Sequence, residues 1–186
     1  MAPPPRVMID ACVLYPNVLR EIVLGVAATG AFVPLWSPRI LAEWGHAAAR
    51  LGAADALVAQ GEVTMLRTHW PGAEVTPAPG LERTLDLPDA DDCHVLAAAI
   101  TGQAGLILTQ NLRDFPARAL GPHGLRARSP DDFLMDLWLA DAVFVEGPVA
   151  HVQADTARIS GRAQPLRALL RRVRMPRLGK ALDGLK

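Results

Sequence analysis

The stretch DADDCHVLAAAITGQAGLILTQNLRDFP (residues 89–116) decides the fold prediction for this chain of 186 residues. It opens with an acidic run, continues with the small apolar residues VLAAAI at 95–100, and reaches an apolar run at 106–108. Acidic side chains are favoured at the start of a helix, and small apolar ones let a helix pack closely against a sheet. The stretch therefore predicts a helix and then a buried strand that ends in polar residues.

The same alternation of strand and helix runs through the first 115 or so residues. Short apolar runs at 7–9 and 32–37 predict two more strands, a further short strand is predicted around 125–127, and helical spacing separates the first two runs. The pattern of residues 53–67 predicts a helix that gives way to a strand-like stretch. The pattern after Pro130 is helical throughout. Together these patterns predict an α/β fold with a central, mainly parallel sheet and a helical C-terminal extension.

Charge is balanced overall but divided along the chain. The 19 basic and 19 acidic side chains cancel, yet residues 1–146 carry 10 basic against 17 acidic groups and residues 147–186 carry 9 against 2. A neutral chain is not a polyelectrolyte that coats nucleic acid. Two cysteines are too few for a disulfide scaffold, and no apolar run reaches the roughly 18 residues of a membrane span. We therefore expect a cytoplasmic protein with no membrane partner.

Acidic and amide side chains from distant parts of the chain fall near the predicted carboxyl ends of the strands. Ligands of open parallel sheets bind at this edge, where the connecting loops converge. Clustered carboxylates repel one another unless a cation compensates, and an all-oxygen set suits Mg²⁺ or Mn²⁺ better than Zn²⁺. The pattern favours a divalent metal and phosphate-ester chemistry, and the residues concerned are Asp10, Glu43, Asp89, Asp91, Asp92, Asn111 and Asp114.

Each of these residues also has a purely structural interpretation. The acids at 89–92 are suitable helix caps, and Asn111 and Asp114 are suitable turn residues. Glu43 is expected in the first turn of a helix that opens at Ser37 and Pro38, where an acid is favoured without any function. Asp10 is the hardest to explain in this way, because it directly follows a buried strand.

Three blocks of the sequence resemble the PIN-domain family, the nuclease fold of VapC-type toxins from bacterial toxin–antitoxin pairs. They are VMIDACVLYPN (7–17), SPRILAEW (37–44) and the stretch 89–116, in which T-x-N-x-x-D-F follows the apolar strand. The resemblance implies a PIN-like three-layer α/β/α fold. It also implies a metal-dependent endoribonuclease that hydrolyses phosphodiester bonds of tRNA or another structured RNA and is controlled by a cognate antitoxin.

The four acidic positions that bind Mg²⁺ or Mn²⁺ in this family match Asp10, Glu43, Asp92 and Asp114, which are the expected catalytic and metal-binding residues. Asp91 is the alternative to Asp92 at the third position, and Asn111 matches a polar position that helps to shape the metal site. One metal or two are both compatible with four acids. The resemblance also suggests a homodimer.

The resemblance covers residues 6–116, and we divide the chain into a PIN-like nuclease domain (1–130) and a helical extension (131–186) that is basic from about 147. Four arginines of the extension are candidates for contacting RNA phosphates: Arg167, Arg171, Arg172 and Arg174. A solvated helix face, or contact with another copy or an acidic partner, explains the same charges equally well.

Other functions are less consistent with the sequence. Response-regulator receivers and haloacid-dehalogenase phosphatases need a lysine near the acidic site, but the two lysines are Lys180 and Lys186. A P-loop motif is also absent from the sequence. The main alternative to a nuclease is a catalytically silent PIN-like module that binds RNA or protein.

Overall fold

The computed structural model describes residues 3–184 and is built around a four-stranded sheet. The strands are β1 (Arg6–Ile9), β2 (Val33–Leu35), β3 (Leu106–Leu108) and β4 (Arg126–Arg128), in the order β2-β1-β3-β4. All three neighbouring pairs are parallel. Parallel pairing places the carboxyl ends of all four strands at one edge of the sheet, as the sequence predicted.

Helices cover both faces of this sheet. Val7, Met8 and Ile9 are each fully buried, although successive side chains of a strand point to opposite faces. Helix α5 (Cys93–Thr101) packs against β1 and β3, and α2 (Asn17–Ala28) packs against β2. The predicted three-layer α/β/α architecture with a helical extension is therefore confirmed.

The remaining helices connect the strands and form the extension. Four of them precede or connect strands: α1 (Ala11–Leu14), α3 (Pro38–Ala49), α4 (Ala53–His69) and α6 (Ala117–Leu120). Four more follow the sheet: α7 (Pro130–Ala140), α8 (Val143–Ser160), α9 (Leu166–Arg172) and α10 (Pro176–Asp183). Short 3-10 helices at Leu81–Thr84, Ala90–Asp92, Leu112–Asp114 and Gly121–His123 lie in the loops. Among residues 3–184, no helix is both long and apolar enough to span a bilayer.

The C-terminal helices pack on the α/β body. Helix α8 lies along α2, and the two backbones approach closely because Gly25 has no side chain: a Cβ there would sit 3.1 Å from Cβ of Pro148. Helices α9 and α10 pack against each other, and α10 also packs on α7. Leu170, Met175 and Leu178 are buried in these contacts. The basic extension is thus held against the acidic body.

Two local predictions were wrong. The stretch expected to become strand-like before residue 67 is helical to His69, since Ala59 and Leu66, seven residues apart, bury one face of α4. Glu43 lies in the second turn of α3 and not in the first, because the helix begins at Pro38, with the Ser37 hydroxyl accepting a hydrogen bond from the Ile40 amide. Glu43 therefore has no capping role that would explain its position.

Candidate active site

Carboxylates from three separate segments meet at the carboxyl edge of the sheet. Asp10 directly follows β1, Asp114 closes the 3-10 helix after β3, and Asp92 closes the 3-10 helix that leads into α5. Oxygen atoms of Asp89, Asp92 and Asp114 lie within 4.8 Å of one another, which is close enough to hold one ion. We call Asp10, Asp89, Asp92 and Asp114 the acidic cluster.

Asp10 is held by two side chains that donate to its carboxylate. The Thr109 hydroxyl donates to Oδ2 of Asp10 over 2.7 Å, and the Cys12 thiol donates to the same oxygen over 3.0 Å. Burial and the Asp10 charge raise the pKa of Cys12 to about 12. Cys12 therefore stays a protonated donor at neutral pH, and it is not a thiolate ligand or nucleophile.

The loop after β3 orients Asp114 in a similar way. The Asn111 side-chain amide donates to Oδ2 of Asp114, and the Asn111 backbone amide donates to the Thr109 hydroxyl over 3.0 Å. Thr109 and Asn111 thereby connect the two buried carboxylates Asp10 and Asp114 through one short loop. This contact with Asp114 would be the means by which Asn111 shapes the site, a role that stays a prediction.

The charge state of Asp92 responds to this crowding. Burial, followed by the charges of Asp10, Asp89 and Asp114, raises the pKa of Asp92 to about 6. A raised carboxylate pKa means that the site disfavours another negative charge. A divalent cation would reverse that preference by compensating the negative charges.

The third acidic position differs in one detail from the sequence interpretation. Asp89, although exposed, joins Asp92 and Asp114, whereas Asp91, the expected alternative, is not in this group of close carboxylates. In a 3-10 helix, residues three apart lie on the same side, so Asp89 and Asp92 face together and Asp91 does not. Asp89 also accepts a hydrogen bond from the Asp91 amide over 3.0 Å, which is the capping role that the sequence suggested.

Among residues 3–184, the group of three close carboxylates does not include Glu43, which contacts His94 and Arg39 instead. Its Oε1 lies 2.8 Å from Nε2 of His94 and 3.5 Å from Nε of Arg39. His94 is 2% exposed and is two residues from Asp92, and its Nδ1 is buried without a partner among the described residues. The sequence pattern gave no signal for the contact between His94 and Glu43.

The donor set fits Mg²⁺ or Mn²⁺. Mg²⁺ is usually bound through one or two carboxylates together with several waters, and three carboxylates with oxygens within 4.8 Å of one another are enough for such a site. All available ligand atoms are hard oxygens, and the nearest sulfur belongs to a protonated thiol. The residues that would hold such an ion are Asp92, Asp114, Asp89 and Asp10.

Metal binding by this cluster should depend on pH. Because a bound cation must displace the proton of Asp92, apparent Mn²⁺ affinity should be constant above pH 7 and fall about tenfold by pH 5, one unit below the pKa. Isothermal titration calorimetry at pH 5, 6, 7 and 8 measures this change. Affinity that stayed constant from pH 5 to 8 would show that Asp92 does not titrate with metal binding.

The four candidate arginines of the extension do not share one surface. Arg172 and Arg174 border a groove beside the acidic cluster, together with residues of the loop after β3. Arg167 and Arg171 are exposed on another face of α9, because residues four apart align on a helix whereas Arg172 is rotated away from them. The structure thus brings two of the four near the candidate site.

Comparison with known proteins agrees with this architecture. The family model described as PIN domain matches residues 6–113. A stretch of 45 residues is 53% identical to the protein named "Putative ribonuclease VapC50" from Mycobacterium tuberculosis strain H37Rv, covering 24% of this chain and 27% of that relative. The chain thus matches about a quarter of the length of this curated relative. No solved structure matches.

Proposed function

Because this chain belongs to the PIN-domain family, we propose that it is a metal-dependent endoribonuclease that hydrolyses RNA phosphodiester bonds. The single observation that carries the proposal is the acidic cluster, in which three carboxylates have oxygens within 4.8 Å and the pKa of Asp92 is about 6. Mutual repulsion of this kind is costly, and a structural helix cap does not require it.

The proposed metal ligands and catalytic residues are Asp10, Asp92 and Asp114. Asp89, and not Asp91, is the proposed additional ligand. Glu43, which matches the fourth acidic position of the family, would be a further metal ligand. Its Oε1 lies 2.8 Å from Nε2 of His94. When bound, the divalent ion would supply Lewis acidity toward a phosphate oxygen and toward the attacking water.

The protein side chains do the positioning in this scheme. Thr109 and Cys12 donate to one oxygen of Asp10, which leaves Oδ1 for a ligand. Asn111 fixes Asp114 in the same manner. No protein nucleophile is required, because the cluster orients water against the phosphate.

The expected biological setting is that of a VapC-type toxin. The substrate is then tRNA or another structured RNA, the controlling partner is an antitoxin, and the working form is a homodimer in the cytoplasm. These features rest on the family resemblance and on the name of the relative that shares a 45-residue stretch. Co-purification of the chain with the product of a neighbouring gene tests the antitoxin.

Cleavage of total tRNA and of a generic single-stranded RNA by the purified protein tests the proposed activity. We expect cleavage with Mg²⁺ or Mn²⁺, none with chelator, and none by Asp10→Asn prepared identically, which controls for contaminating nucleases. Metal binding without cleavage of either RNA would favour the silent binding module instead. Cleavage that persisted in Asp10→Asn would refute the assigned site.

A further inference from the structure

We propose that a groove formed between the C-terminal extension and the loop after β3 binds the sugar–phosphate backbone of the RNA beside the acidic cluster. The groove has a volume of about 480 Å³. The residues that carry the argument are Tyr15, Gln110, Asn111, Arg113, Arg172 and Arg174. The inference rests on the proposed function only in taking RNA as the ligand.

The groove begins where the acidic cluster ends. Two of its lining residues bind the cluster directly: Cys12 donates to Asp10, and Asn111 donates to Asp114. A strand with one phosphate at the cluster would therefore place its neighbouring nucleotides in or against this groove.

The charge of the groove is opposite to that of the cluster. Arg113 is 86% exposed and lies 3.6 Å from an Asp114 oxygen. Arg172 donates to the side-chain oxygen of Gln164 over 2.6 Å, which leaves other N–H groups of its guanidinium for a ligand. Arg174 is exposed, with no polar side-chain partner among residues 3–184. An acidic site that must accept an anionic polymer needs compensating cations at this position.

The backbone at Arg174 provides a second, independent observation. Helix α9 ends in a Schellman motif, in which the Met175 amide donates to the Leu170 carbonyl over 2.9 Å and the Arg174 amide to the Arg171 carbonyl over 3.2 Å. Arg174 occupies the left-handed position of this motif, with φ +60°. Glycine is strongly preferred there, and residues that keep a disfavoured backbone conformation cluster at functional sites.

The C-terminal extension is hydrogen-bonded to the loop after β3 at the groove. The Gln110 side-chain amide donates to the Val173 carbonyl over 3.4 Å, between the two groove arginines. This contact ties the end of α9 to the loop that carries Asn111 and Asp114. The backbone that carries Arg172 and Arg174 is therefore held beside the loop that carries Asn111 and Asp114.

The lining favours an unpaired segment of RNA, such as a loop of a structured RNA, over an acidic protein segment. Tyr15 lines the groove and is 38% exposed, so its ring is available to stack on an unpaired base. Arginines that bind phosphates beside an aromatic ring that stacks on bases are the usual composition of single-strand grooves. An acidic peptide could bind the arginines, but it would not account for the exposed ring of Tyr15 in the groove.

Arg174→Gly tests the proposal without threatening the fold, because glycine suits φ +60°. Binding of a 5′-fluorescein-labelled ten-nucleotide single-stranded RNA to the full-length protein is measured by fluorescence anisotropy in chelator, with RNA integrity checked on a gel. We expect affinity about tenfold weaker than wild type at low salt, and a salt-dependence slope smaller by about 0.7 for the lost phosphate contact. The melting temperature should be at least that of the wild type.

Two variants serve as controls. Arg167→Ala removes the same charge from α9 outside the groove and should bind RNA as the wild type does. Arg174→Lys retains the charge and the strained backbone and should retain most of the affinity. With metal added, Arg174→Gly should raise KM and leave kcat nearly unchanged, because the groove holds the RNA and not the reacting phosphate.

The outcomes separate this inference from the proposed function. Equal loss of RNA affinity in Arg167→Ala and Arg174→Gly, or none in either, would overturn the groove while leaving cleavage untouched. An acidic peptide that bound in an Arg174-dependent manner where RNA did not would assign the groove to a protein partner. Arg174-dependent RNA binding by a chain that cleaves nothing would support the groove and refute the nuclease.

Discussion

Asp92→Asn is expected to reduce RNA cleavage by more than about a hundredfold and, at the same time, to stabilise the metal-free protein. Loss of groups that merely support a metal ligand already costs about 10- to 100-fold, so loss of a ligand charge should cost more. The stabilisation arises because the ionised Asp92 carboxylate is repelled by Asp10, Asp89 and Asp114. The Asp92 side chain makes no capping hydrogen bond that the substitution would remove.

The sign of the stability effect depends on pH. The folded-state pKa of Asp92, about 6, lies above its ordinary value of 3.8, so the folded protein binds the proton more tightly than the unfolded chain. The resulting penalty is absent below about pH 4 and complete above about pH 6. Discounted for partial exposure, it corresponds to about 1 kcal/mol, or roughly 2 to 4 °C in melting temperature.

Melting curves in chelator at pH 4 and pH 8, recorded for the wild type and Asp92→Asn, measure this effect. The variant should melt higher at pH 8 and at the same temperature as the wild type at pH 4. Mn²⁺ should raise the melting temperature of the wild type far more than that of the variant. A variant that melted lower at pH 8 would show that Asp92 is a structural cap and not a member of a metal-binding cluster.

Asp131→Ala is expected to destabilise the protein by about 2 to 4 kcal/mol. Asp131 lies in the first turn of α7, is buried, and accepts hydrogen bonds from the backbone amides of Arg177 and Leu178 over 3.0 and 2.9 Å. These amides open α10, whose own N-cap residue, Met175, makes no capping hydrogen bond. The variant loses a charged cap and leaves two donors unpaired near the core, and these losses together give the stated range.

Thermal or urea unfolding measures this loss, with Asp136→Ala as the matched control on the same helix. Asp136 forms an exposed ion pair with Arg128, which should contribute less than about 1 kcal/mol. Loosening of α10 should also weaken RNA binding, because α9 and α10 together position Arg172 and Arg174. If Asp131→Ala were no less stable than Asp136→Ala, the extension would not depend on this contact.

The sequence predicted the parts of the site that follow from strand ends. Asp10 comes directly after a fully buried strand, and Asp114 follows the next strand in the sheet, so parallel pairing alone brings them to one edge. The small residues at 95–100 likewise predicted a helix packed closely on the sheet. In these cases the residues that predict a strand or helix also determine where that element lies in the sheet.

The sequence did not show whether Asp89 or Asp91 lies on the same side as Asp92, because that depends on the segment before α5 being helical. The structure has a 3-10 helix at Ala90–Asp92 with Asp89 as its N-cap, so Asp89 and Asp92, three residues apart, share one side. The same limit applies to the arginines of the extension. Their side of α9 is fixed by how α10 and the loop after β3 pack against it, over separations of tens of residues.

The most direct test of the account is the initial rate of RNA cleavage as a function of Mn²⁺ concentration, measured beside Mn²⁺ binding for the wild type and Asp10→Asn. We predict that the wild-type rate is zero in chelator and rises in parallel with occupancy of the acidic cluster. Asp10→Asn should remain inactive at every concentration. Cleavage that began before the cluster was occupied, or that survived in chelator, would contradict the assignment of a metal-dependent ribonuclease to this site.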